Sequence, residues 1–84
     1  MTGKHHNWHR AWHRTDAGHL HHDSGLLVLV GEPDEDGGLD LVTDDASLQA
    51  WQAFEQARGV PLHDLQARLQ RLLREAAEWH QINA

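Results

Sequence analysis

The sequence predicts an α+β fold: a four-stranded antiparallel β-meander followed by two α-helices packed on one face of the sheet. Three observations predict it. Within residues 8–42, apolar side chains alternate with polar ones or form short aliphatic runs, and clusters of Asp, Ser and Gly separate the runs. After Asp44 the apolar spacing changes to steps of three and four, the period of a helix. The 84 residues hold no low-complexity linker and no long repeat, so a single small domain spanning 1–84 is expected, with strands within 8–42 and helices over about 45–58 and 61–80.

The first element is the least decided. The stretch WHRAWHRT, residues 8–15, repeats a four-residue unit, and a period of four suits a helix with His5, His9 and His13 in one stripe. It suits a strand equally well, because four is twice the strand period. The turn signal Asp16-Ala17-Gly18 and a second alternating run, His19-Leu20-His21-His22, favour a hairpin. Asp23-Ser24-Gly25 makes a second turn before the aliphatic strand Leu26-Leu27-Val28-Leu29-Val30. An acidic loop, Glu32 to Gly38, precedes the last strand, Leu39-Asp40-Leu41-Val42.

The helices carry clearer marks. Asp44 and Asp45 suit a helix start, Ala50, Trp51, Phe54 and Ala57 follow at helical spacing, and Arg58-Gly59 supplies a stop. Pro61 at the first helical position opens the second helix, in which Leu62, Leu65, Leu69, Leu72, Ala76 and Trp79 form the apolar stripe. Leu73 widens that stripe beyond a coiled-coil seam, which suits a core helix.

Register then sorts the side chains. Three-residue loops in both hairpins set Arg14 opposite Leu20, His13 opposite His21, Trp12 opposite His22 and Leu20 opposite Val28. One face collects Trp8, Trp12, Leu20, Leu26, Val28 and Val30, joined by Leu39 and Leu41 if Val30 pairs with Leu39. The expected core is Trp8, Trp12, Val28, Leu41, Trp51, Phe54, Leu65, Leu69 and Leu72. The other face collects His9, His13, His19, His21, Leu27, Leu29, Asp40 and Val42, and two helices cannot cover both faces.

Composition narrows the function. The chain has no cysteine, so disulfides and thiolate metal cages are excluded, and no apolar run approaches a membrane span. A cytoplasmic protein is expected, and the Arg-rich, Lys-poor usage suggests a bacterial source. The formal net charge is −6, and protonating all nine histidines would take it to +3. Nine acids and no Lys or Arg lie within residues 23–55, which opposes nucleic-acid binding.

Adjacent His22-Asp23-Ser24 has triad residue types whose side chains diverge, and no phosphate-cradling glycine loop is present, so no enzyme and no cofactor is expected. The expected role is protein–protein interaction, with a homodimer formed through His9, His13, His19, His21, Leu27, Leu29 and Val42.

Two rival readings use other chemistry. His9, His13, His19 and His21 on one sheet face could share a Zn, Ni or Cu ion, since cross-strand imidazoles lie close together. A DNA-binding regulator would use Arg10, Arg14, Arg68, Arg71 and Arg74. The order strand, helix, glycine turn, helix over residues 39–80 is similar to that of ribbon-helix-helix DNA-binding folds, although Asp40 stands where a base-reading strand wants basic or amide side chains.

Overall fold

The computed structural model describes the backbone of residues 3–38 and 40–83, and side chains from Asn7 onward. A 3-10 segment, Gly3–Ala11, leads into β1 (Trp12–Arg14), β2 (Leu20–His22), β3 (Leu27–Val30) and β4 (Leu41–Thr43). Two helices follow, α1 (Asp45–Ala57) and α2 (Leu62–Ile82). The strands form one antiparallel sheet in the order β1-β2-β3-β4. The predicted α+β meander with two helices is therefore the observed architecture.

The two hairpins take the expected register. Trp12 pairs with His22, His13 with His21, Arg14 with Leu20, and Leu20 with Val28. Gly18 (φ 86°) and Gly25 (φ 101°) close the turns in the left-handed region that glycine enters without strain. In the third hairpin Val30 pairs with Leu41 and Leu29 with Val42. The expected partner of Val30, Leu39, lies outside the described residues. The two-residue difference keeps every side chain on its predicted face, because the side-chain period of a strand is two.

The first strand is shorter than expected. Strand geometry was anticipated from Trp8, yet β1 starts at Trp12 and the preceding residues coil into 3-10 turns. The cause is a missing partner: the register that pairs Trp12 with His22 would set Trp8 opposite Leu26, which already lies beyond the second turn. The last ladder contact is Asp23 N–H to Ala11 C=O, 2.8 Å. Upstream of it the backbone has no neighbouring strand to bond to.

Both helices pack on the face that carries Trp12, Leu20 and Val28. These three join Leu26, Trp51, Leu65 and Ala76 in one buried cluster, flanked by Trp8, Val30, Leu41, Leu69, Leu72 and Trp79 among others. Asp44 caps α1, its Oδ2 accepting from Ser47 N–H at 3.0 Å. The helix ends in a Schellman motif: Val60 N–H reaches Glu55 C=O and Gly59 N–H reaches Gln56 C=O. Pro61 stands just before α2 as its N-cap rather than inside its first turn, and the helix runs on to Ile82.

One core assignment is overturned. Phe54 is 51% exposed, with the Arg58 guanidinium 5.6 Å from its ring centroid. The buried position on that turn belongs to Glu55, only 3% exposed. The seam of α1 that meets the core runs Leu48, Trp51, Glu55, and Phe54 falls to its side.

Candidate functional site

The open face of the sheet is built from two rows of side chains. His13, His21 and Leu27 stand side by side on β1, β2 and β3, and Leu29 and Val42 on β3 and β4. Because both helices lie on the opposite face, these side chains have no layer above them among the described residues. His13 and His21 are exposed, Leu27 and Leu29 half-buried, and Val42 is 53% exposed. The face grades from imidazole at the β1 edge to aliphatic at the β4 edge. At the imidazole end, His13 Nε2 lies 2.9 Å from Asp23 Oδ1, an exposed contact worth little in energy.

Two of the predicted histidines do not stand free on this face. His9 falls in the 3-10 segment, where its carbonyl accepts from Trp79 Nε1–H at 3.0 Å. His19 is half-buried beyond the start of β2, and its Nδ1 accepts from Val30 N–H at 2.9 Å. The imidazole thus serves as a substitute backbone acceptor where the β2–β3 ladder stops. The four histidines from which two or three ligands for one ion could be drawn are therefore dispersed, with only His13 and His21 left side by side. Among the described residues, no three His, Asp or Glu side chains are grouped so as to hold a metal.

The arginines expected at a nucleic-acid surface are likewise divided. Arg14 turns toward the end of α2: its guanidinium stacks on Trp79 at 5.5 Å, donates toward His80 Nδ1 at 3.4 Å, and reaches Asn83 C=O at 3.5 Å. Trp12, which would flank it in a base-stacking platform, is buried, and its Nε1–H donates to Glu75 Oε1 at 3.2 Å. Arg68 is paired with Glu55, whereas Arg10, Arg71 and Arg74 are exposed.

A second site, not foreseen from the sequence, lies between the helices and the β2 end of the sheet. It is a cavity of about 270 Å³. Its apolar lining residues are Trp8, Trp51 and Leu72, and three arginines, Arg58, Arg68 and Arg71, also line it. The buried Glu55 carboxylate divides its oxygens between two of them, Oε1 to Arg58 Nη1 at 3.0 Å and Oε2 to Arg68 Nη1 at 3.3 Å. Those long side chains keep their charged heads half in water, so the carboxylate is neutralised without burying two more ions.

His22 and Ser24 close the sheet side of this cavity. The turn brings them together after all: Ser24 N–H donates to His22 Nδ1 at 3.1 Å, and Ser24 Oγ lies 2.7 Å from the same nitrogen. Since Nδ1 accepts from the backbone, the ring proton sits on Nε2 and the Ser24 hydroxyl donates as well. Burial holds the His22 pKa below its ordinary 6.5, against the opposing pull of Glu75 and Asp23. The signal for this site was the helical offset of Glu55 from Trp51 and of Arg71 from Arg68, which sets each pair on one face.

No protein-family model matches the chain, and neither a curated protein nor a solved structure matches it significantly.

Proposed function

We propose that this protein works as an interaction module that binds a second copy of itself through the open sheet face, with Leu27, Leu29 and Val42 at the centre and His13 and His21 at the rim. The observation that carries this reading is the placement of both helices on one side of the sheet. On the other, Val42 is exposed and Leu27 and Leu29 are only half-buried.

The face favours its own duplicate as occupant for a chemical reason. Its aliphatic centre carries no charge for a charged partner to match; of the acids beside it, Asp23 is already taken by His13, and the exposed Asp40 stands at the outer end, two residues before Val42. A two-fold arrangement sets aliphatic corner against aliphatic corner and leaves the imidazoles at the wetter edge, the usual plan of an isologous contact. A domain of this size gains from such burial, since one small core rarely yields more than roughly 3–5 kcal/mol. His9 and His19, committed elsewhere, have no part in the contact.

The contact is small, so the dimer is expected to be weak and in rapid exchange. Sedimentation equilibrium at concentrations on the order of 500 μM should register it, because small interfaces fall in that affinity range. Leu27→Glu should keep the native circular dichroism spectrum and abolish association, and EDTA should change neither. A wild-type chain that stays monomeric throughout that range, or a Leu27→Glu chain that dimerises as well as the parent, would end this reading.

A further inference from the structure

We propose that the cavity between α1, α2 and the β2 end of the sheet is a binding site for a small planar organic anion, an aromatic carboxylate or phosphate monoester of about a dozen heavy atoms.

The walls and the charge each select one half of that ligand. Trp8, Leu72 and the nearly buried Trp51 give the cavity an aromatic and apolar lining, which favours an aromatic ring over a bare ion. The volume, about 270 Å³, is below that of pockets that take drug-sized molecules, and it limits the body to one or two fused rings.

The charge points to an anion. Three arginines and two glutamates, Glu55 and Glu75, line the cavity, so the lining carries an excess positive charge within a chain of net charge −6. Glu55 gives one oxygen each to Arg58 and Arg68, and Glu75 accepts from Trp12. Both oxygens of Glu55 are therefore engaged, and the remaining carboxylate, Glu75, is outnumbered by the three arginines of the lining. Arg71 stands one turn beyond Arg68 on α2 and, among the described residues, has no acid within ion-pair distance. Arg68 engages Glu55 through a single nitrogen, which leaves most of its donors unused. A carboxylate or phosphate seated between Arg68 and Arg71 would have two arginines of one helix face within reach, while Glu55 holds Arg68 in place.

The site is separate from the self-association face, since it opens on the helix side of the sheet. The test is a titration of the labelled full chain followed by the indole N–H resonances of its four tryptophans. With 2-naphthoate, Trp8 and Trp51 should shift saturably, with a Kd on the order of 100 μM. The Trp79 resonance, whose N–H is bonded to the His9 carbonyl, should stay in place.

Phenyl phosphate tests the alternative head group, and the tighter of the two anions identifies the group for which the site is built. Neutral 2-naphthamide should bind at least fivefold more weakly than 2-naphthoate. Arg71→Gln, at an exposed residue without an ion pair, should leave the remaining spectrum intact and weaken the better anion about tenfold. The proposal is overturned by any of three results: no saturable shift with either anion to about 5 mM, equal affinity for the amide, or an unaltered Kd in Arg71→Gln. Inorganic phosphate binding as tightly as phenyl phosphate would overturn the requirement for a ring.

Discussion

At the scale of single residues, the polar groups on the helix side of the sheet are held by specific partners. His22 is the clearest case. A second proton would have to enter at Nδ1, where the backbone N–H of Ser24 already points, and burial further disfavours the charged ring. The unfolded chain accepts that proton near pH 6.5, whereas the folded chain resists it to a lower pH. The stability this group supports is therefore complete above pH 6.5 and declines as the pH falls toward the folded-state value. Urea midpoints measured from pH 7.5 to 5 should fall more steeply for the parent than for His22→Asn, in which Oδ1 can keep the Ser24 bond without titrating. Equal slopes would contradict the assignment.

Trp12 gives a second expectation at this scale. Trp12→Phe keeps the ring in the core but leaves the half-buried Glu75 Oε1 without its donor, at a cost of about 1–3 kcal/mol in chemical denaturation. Little of this network was legible beforehand. Alternation assigned Trp12 to the core, but hydrophobicity named Phe54 where the seam needed Glu55. The reason is that Arg68, thirteen residues away, makes that buried carboxylate tolerable, and such long-range pairing leaves no local pattern in a sequence.

At the scale of elements, the sequence was most informative where a single local rule suffices. Asp44, Arg58 and Gly59 marked both ends of α1, and Gly18 and Gly25 set the register of two hairpins. Gly59 (φ 91°) occupies the left-handed position of the Schellman motif, and a Cβ there would meet nothing within 4 Å. Gly59→Ala should therefore cost about 1 kcal/mol through backbone strain alone, read from the urea midpoint. A loss of several kcal/mol would mean that a side chain clashes there.

The first strand shows where local pattern stops. The alternation of Trp8 to Arg14 continues upstream of β1, but a strand extends only as far as its neighbour does, and β2 ends at His22. Strand length was thus a property of the second turn rather than of the first strand's own residues. His19 followed the same logic: its alternation pointed it outward, and the unpaired N–H of Val30 drew it into the sheet edge.

At the scale of the whole molecule, charge and connectivity govern behaviour. Two copies that each carry a net charge of −6 repel one another, whereas the proposed contact is aliphatic. Raising salt from about 10 to 100 mM shortens the screening length from roughly 30 to 10 Å. Self-association should then strengthen, as a rising dimer fraction in sedimentation equilibrium. A dimer that dissociates with salt would instead use ion pairs, joining the basic first 22 residues of one chain to the acidic middle of another.

Connectivity has its own consequence. Trp12 bonds to Glu75, the His9 carbonyl to Trp79, and Arg14 to Asn83, pairs separated by 63, 70 and 69 positions. A chain emerging from the ribosome must therefore wait for α2 before its earliest tryptophans find shelter, and folding is expected to finish only after that helix has been synthesised.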